Sequence, residues 1–266
     1  MPTISPATPA DAEFFQQNGY IRYEHFFSAE EIASLRQAID HAIDTHRARI
    51  RGAENDGRGS EEYERVFNQM VNLWTDYPDA KEIAFHSRLA ETARRLSGCR
   101  HVRIYHDHAM IKPPGQTSKE TNWHQDAPYW PMDPVGALSA WIAVDDVTAD
   151  NGCLHFVPGS HQYERLEPIK LGVAGESIVG KMKEQGYDVP EPVTMDMKAG
   201  GVTFHHGCTF HYAGPNQTAA PRRAFASNYK PDYTTITGTH DAAGAADEME
   251  AGGPWDHPLH PILAGD

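Results

Sequence analysis

From residue 101 onward the chain breaks into short β-prone runs separated by Pro and Gly. They read HVRIYHDHAMIK, PPGQ, WHQD, ALSAWIAVDDV, CLHFVPGSH, GVTFHHGCTFHYA and RAFASNYKP. Many short strands with turn signals between them point to a double-sheet jelly roll, a cupin-like double-stranded β-helix, or a related barrel. The first hundred residues have a different texture, and residues 10 to 50 read as helical. Ser28 can cap a helix AEEIASLRQAIDHAIDTHRARI, with Glu31 at the capping-box position and apolar residues at Ile32, Leu35, Ile39 and Ile43. Residues 52 to 62 form a polar, glycine-containing loop, and 79 to 98 read as a second helical stretch.

At 266 residues one catalytic domain is the default. Residues 1–100 give helical support, 101–235 a mainly β core, and 163–198 an insertion expected to cover a site. The segment 239–266, rich in Ala, Gly, Asp and Glu, is expected to be a tail or a lid. Thirty-seven acidic residues against 23 basic ones give a net charge of -14, which repels a phosphate backbone and argues against nucleic acid as a partner. No stretch approaches the ~18 apolar residues of a membrane helix. The N-terminus lacks the basic start and apolar run of a signal peptide, so a cytoplasmic location is expected. Cys99, Cys153 and Cys208 show no CxxC spacing, which suggests buried thiols rather than a disulfide framework or zinc ribbon. The compositional oddity is sixteen histidines.

His124-Gln125-Asp126 is the first chemistry-bearing motif, because residues two apart on a strand point to the same face and can converge on one metal ion. Two histidines and one carboxylate on one face leave positions open for substrate and O2, the facial arrangement of non-haem Fe(II) oxygenases. The third ligand lies among His205, His206 and His211. His211 adjoins the turn GPNQ, after which Arg222 and Arg223 open the next run. Such a hairpin can bring an arginine back beside the histidine, where its planar fork suits a carboxylate. Arg223 alternates with Arg222 and so faces the other side.

Several ordered motifs run through most of the chain: FFQQNGYIRYEHFFSAEEI, KPPG, WHQDAPYW, ALSAWIAVDDVTADNGCLHFVPGSH and FHYAGPNQTAAPRR. In these the sequence resembles the phytanoyl-CoA dioxygenase family of Fe(II)- and 2-oxoglutarate-dependent oxygenases. The resemblance implies His124, Asp126 and His211 as iron ligands, Arg222 on the distal carboxylate of 2-oxoglutarate, and Trp141 and His108 in the co-substrate pocket. Iron, 2-oxoglutarate and O2 are the implied cofactors, and a small molecule is the implied substrate. Asn72 and Gln69 are further polar candidates by position, and Tyr129 and Trp130 are expected to line a substrate wall, with packing under the barrel mouth as the alternative. Two departures, Gly200-Gly201 where the family often has Gly-Asp and Ala213 where it often has Ser, remove no ligand.

His205 and His206 read as core residues or as hydrogen-bonding supports for a ligand. His155 and His161 read as structural, and Asp145-Asp146 as turn chemistry. An acid at position 126 favours hydroxylation over halogenation, in which a small residue stands there instead. Two competing classes are a zinc hydrolase or isomerase using the same three ligands and a noncatalytic small-molecule-binding jelly roll; Arg222 disfavours the first. No coiled-coil pattern sets an oligomeric state, and nothing in the sequence selects the substrate.

Overall fold

The alternation of inward and outward side chains in the second half of the chain is satisfied by two stacked antiparallel sheets. A computed structural model describes residues 6–45, 50–51, 68–115, 118–163, 165–168, 177–238 and 245–266. The larger sheet has the order β1 (Tyr20–Tyr23), β10 (Val202–His206), β7 (Leu138–Ala143), β12 (Arg222–Pro231), β4 (His101–Lys112), β3 (Asn68–Val71) and β2 (Ile50–Arg51), and β14 (Ile262–Gly265) pairs with β4. The smaller sheet has the order β5 (Thr121–His124), β11 (His211–Ala213), β8 (Leu154–Phe156) and β9 (Val193–Thr194). A short ribbon joins β6 (Met132–Asp133) to β13 (Thr235–Ile236). This is the jelly roll that the run of short strands predicts.

Period two sorts each long strand into two faces. On β12 the residues Phe225 and Tyr229, with Ile142 of β7 and Phe204 of β10, pack outward into the apolar layer under the helices. Ala224 and Ala226 face the other way, with Trp141, Ala143 and Met110, against Leu154, Phe156 and Ala213 of the smaller sheet. The inner face of β12 therefore runs Arg222, Ala224, Ala226, Asn228, Lys230, and the pairing register sets it beside Lys112, Met110, His108, His106 and Arg103 of β4.

Helices α1 (Pro9–Asn18), α2 (Ala29–Thr45), α3 (Pro78–Ala84) and α4 (Ser87–Ser97) cover the outer face of the larger sheet. The capping box of α2 is present: Ser28 N donates to Glu31 Oε2 at 2.7 Å and Glu31 N donates to Ser28 Oγ at 3.2 Å. Its buried stripe is Ile32, Leu35, Ala38, Ile39 and Ala42, at ~1.5–3 kcal/mol for each large side chain fully buried. Two details differ from the helical reading of residues 10 to 50. Gly19, in the left-handed conformation at φ 78, ends α1, and Tyr20–Tyr23 then pairs with β10. Ile50 lies in β2, paired to Met70, beyond the end of the helix. Both are edge strands whose partners are distant in sequence, so local pattern cannot announce them. The predicted loop at 52 to 62 lies outside the described residues.

The insertion and the tail have different destinations. Helix α5 (Ile178–Glu184) buries Ile178, Val179 and Met182 against Val157 and Phe210, with Trp123 alongside. Phe210 and Trp123 each adjoin an inward histidine, so α5 packs on the outer face of the smaller sheet rather than over the site. Residues 165–168 are nearer the barrel mouth, with Leu166 N donating to Gln125 Oε1 at 2.9 Å and Arg165 Nη1 to Met132 O at 3.2 Å. The described part of the tail is ordered: β14 pairs with β4, and His260, fully buried, has its Nδ1 3.2 Å from Ile104 O. Trp255 closes over Lys230, whose ammonium is 3.3 Å from its ring centroid and has no solvent exposure. Trp255→Ala is expected to lower unfolding free energy by about 3 kcal/mol or more, through a cavity and an uncovered buried cation. Denaturant unfolding checks this, and an unchanged midpoint would refute the packing role of the tail. Among the described residues no helix is long and apolar enough to cross a membrane.

Candidate metal centre

β5 and β11 are neighbours in the smaller sheet, and their register sets His124 directly opposite His211. Asp126, two residues after His124, is anchored through its backbone: Asp126 N and Ala127 N both donate to Gly207 O at 2.9 Å. Gly207 is required here, since a Cβ would fall 2.5 Å from the Trp130 ring. Among the described residues, His124, Asp126 and His211 are the one group of such side chains whose ligand atoms lie within 4.8 Å of one another. Asp126 Oδ1 is 3.6 Å from His124 Nε2 and 3.5 Å from His211 Nε2.

Both histidines are oriented from behind. His124 Nδ1 lies 2.6 Å from Asn122 O and His211 Nδ1 lies 3.0 Å from Thr209 O. A carbonyl only accepts, so each Nδ1 carries the proton and each Nε2 lone pair points to the common centre. Burial lowers the His211 pKa well below its ordinary value, and His124 beside it adds to the effect. Burial pushes the Asp126 carboxyl up, but His211, His124 and His205 outweigh it and hold the group well below the usual carboxylate range. The donor set is two imidazole Nε2 atoms and one carboxylate oxygen. Their donor chemistry fits a divalent ion that keeps open positions, Fe(II) among them. The Asp126 side chain is 24% exposed while those of the histidines are at 7%, so the centre opens to solvent on the carboxylate side.

His205 and His206 occupy different places. His205 Nε2 faces the other carboxylate oxygen, Oδ2, at 3.3 Å. His206 faces away, its ring 5.6 Å from that of His161, its Nδ1 accepting from Cys208 N. Burial, followed by the neighbouring His161 and His205, lowers the pKa of His206 to about 4, and burial lowers His86, His155 and His161 also. Below about pH 6.5 the unfolded chain binds protons that the folded chain refuses, so stability rises with pH in this range. Metal-free protein is expected to lose stability as pH falls from about 6.5 towards 4, His206 alone contributing about 2 kcal/mol after allowance for its partial exposure. A denaturant midpoint flat across that window would contradict this.

Asn216, fully buried, locks the connection from β11 to β12 by donating to Lys112 O and Ala220 O. Arg222 thereby enters the barrel interior opposite Lys112, both almost fully buried. Its guanidinium carbon lies 5.5 Å from the Trp141 ring centroid, and Nε donates to Asn151 O at 3.4 Å. The inward positions near Arg222 include Ala143, Ala213, Ala224 and Ala226, which carry no more than a methyl group, beside the larger Met110, Trp141, Leu154 and Phe156. Lys112 Nζ donates to Lys119 O at 2.6 Å. Arg223 faces outward and pairs with Asp40 and Asp145, and Asp146 pairs with Lys198, which absorbs the acidic pair into structure.

His108 sits two places from His106 on the inner face of β4, its Nδ1 3.4 Å from Asn228 Nδ2. Asn72 follows β3 in the left-handed conformation, φ 57, its N–H donating to Asp107 O on β4. Gln69 pairs with Met110, and its side chain lies outside the described residues. Trp130 is given to packing, in a buried cluster with Tyr105, Met132, Ala137, Ile236 and Trp255; Tyr129, in the turn after Asp126, is half-buried. The residues that sequence reasoning left out are Ser139, Asn228 and His106. Counting by two from Trp141 and from Arg222 places the first two on the inner face.

The family model for phytanoyl-CoA dioxygenase (PhyH) matches residues 15–224. The chain belongs to this family. Its relatives include a phytanoyl-CoA dioxygenase of Arabidopsis thaliana, 26% identical over 82% of this chain and 87% of that one. An ectoine dioxygenase of Bordetella bronchiseptica is 29% identical over 82% of this chain and 74% of its own length. Among solved structures, the epimerase SnoN in complex with Fe3+, alpha ketoglutarate and nogalamycin RO superposes with a TM-score of 0.75 at 26% identity, covering 95% of this chain and 97% of that one. EctD from S. alaskensis with 2-oxoglutarate and 5-hydroxyectoine gives 0.70 at 25%, covering 89% and 80%. As a member of the PhyH family the chain is an Fe(II)- and 2-oxoglutarate-dependent dioxygenase.

Proposed function

We propose that this dioxygenase hydroxylates an unactivated C–H bond of a small metabolite, with His124, Asp126 and His211 holding Fe(II) and Arg222 gripping the distal carboxylate of 2-oxoglutarate. The observation that carries this reading is the pairing of a converged two-histidine, one-carboxylate group with a buried arginine on the inner face of the larger sheet. Iron, 2-oxoglutarate and O2, when bound, would supply the oxidation: one oxygen atom of O2 would enter the substrate C–H bond as a hydroxyl and the other would pass to succinate as 2-oxoglutarate loses CO2. The protein's part is positioning and exclusion of water. Arg222 fixes one end of the co-substrate, Trp141 lies beside the guanidinium, and the partly exposed Asp126 side of the centre admits substrate.

The first experiment is an anaerobic titration of metal-free protein with Fe(II) and 2-oxoglutarate, followed by the visible charge-transfer band. A band is expected, as is succinate formation that stops when a chelator removes the metal and returns with Fe(II) but not Zn(II). Hydrolytic or isomerase turnover of a substrate by Zn(II)-loaded protein without 2-oxoglutarate would replace this reading with the zinc one.

A further inference from the structure

The two oxygens of Asp126 have different surroundings. Oδ1 faces His124 and His211. Oδ2 faces the larger sheet, where His205 Nε2 lies at 3.3 Å and Ser139 Oγ at 3.1 Å. Those two residues are side by side on β10 and β7, and Asn228 of β12 and His106 of β4 continue the row across the sheet by direct register. Ser139 Oγ is 2.5 Å from Asn228 Oδ1, and Asn228 Nδ2 is 2.8 Å from His106 Nε2. All four are buried, with His106 the most exposed at 4%.

The polarity of this row follows from its end. A carboxylate held as a metal ligand accepts only, and a hydroxyl has one proton. Ser139 therefore donates to Asp126, and the Asn228 amide turns to offer its Nδ2 to Ser139 and its oxygen to His106 Nε2–H. His205 Nδ1 meets no hydrogen-bond partner among the described residues, so the contact with Asp126 places its proton on Nε2. Its ring is held between Phe156, at 5.1 Å, and His211, at 4.7 Å, which leaves the imidazole little room to swing.

We infer that Ser139 and His205 are positioning residues that clamp the outer oxygen of Asp126 and so fix it as a one-oxygen ligand. The inference rests on the metal assignment proposed above. Held by two donors, Oδ2 cannot rotate towards the ion, and the position a two-oxygen carboxylate would occupy stays open for the co-substrate or O2. The donors also spare the carboxylate the cost of reorienting when metal arrives, as outer-shell partners of metal ligands do.

The test is Fe(II) affinity of the full chain without oxygen, read from the Tm rise with Fe(II) alone and from the charge-transfer band with 2-oxoglutarate. Ser139→Ala and His205→Phe, which remove a donor and keep most of the shape, are each expected to raise the Kd for Fe(II) about 10-fold or more. Ser139→Thr and His205→Gln keep a donor and are expected to stay within about threefold of the parent. His205→Gln carries the rescue arm if the threonine does not fit its strand. Folded Ala and Phe variants that bind Fe(II) as the parent does overturn the clamp, as does a Gln variant no better than Phe. A parent protein that binds no Fe(II) removes both the clamp and the metal assignment, whereas normal parent binding with unaffected variants removes the clamp alone.

Discussion

Asp126→Ala is expected to abolish 2-oxoglutarate-dependent turnover while leaving the protein folded. The change takes away the sole anion among three buried imidazoles, those of His124, His205 and His211. Two imidazole nitrogens remain, and neither His205 nor Ser139 can substitute, because both donate towards the vacated oxygen. Loss of an outer-shell partner costs about 10- to 100-fold in metal affinity or activity, so loss of the ligand itself should exceed about 100-fold. The fold should tolerate it, because the carboxylate lies at the barrel mouth and its backbone is held independently through Gly207. Succinate formation at saturating Fe(II), alongside circular dichroism, is the measurement. Normal turnover in a folded Ala variant would sink the ligand assignment.

Much of this centre was legible because its signals are local. His124 and Asp126 are two apart, and strands with turn residues between them announce themselves by period and punctuation. The third histidine needed a longer-range clue. His205 and His211 both point into the barrel; adjacency to the GPNQ turn and Arg222 favours His211, and the geometry agrees, since His211 shares Oδ1 with His124 while His205 meets Oδ2. Ser139 and Asn228 stayed hidden because serine and asparagine on a strand look like ordinary inner or edge residues until cross-strand register sets them in one row. Tyr20–Tyr23 was obscured by helical neighbours on both sides, and its strand state comes from a partner about 180 residues away. Trp130, read as a substrate wall from its nearness to the metal motif, packs its ring beside Gly207 and Tyr105. The tail showed Trp255 as an isolated aromatic, and its purpose emerges only with buried Lys230 beneath it.

Arg222→Ala is expected to raise the Kd for 2-oxoglutarate by about 100-fold or more, because two charge-assisted hydrogen bonds at roughly 1.5–3 kcal/mol each are lost. Arg222→Lys should recover part of this: it keeps the charge but not the fork, and its ammonium cannot make two parallel bonds to one carboxylate. The geometry gives a reason to expect specificity for arginine. Asn151 O accepts from Nε and the Trp141 ring lies 5.5 Å from the guanidinium carbon, so the guanidinium has partners on two sides before any ligand arrives. Lys112, opposite on β4, is a second buried basic side chain beside Arg222. Burial, then Arg222, lowers its pKa well below the ordinary lysine value, and its Nζ already donates to Lys119 O. Titration of Fe(II)-loaded protein with 2-oxoglutarate decides between the two. Saturation of the Ala variant at the parent's concentration would shift the carboxylate anchor to Lys112, whereas the expected loss, with partial recovery in the lysine variant, would assign it to the Arg222 fork.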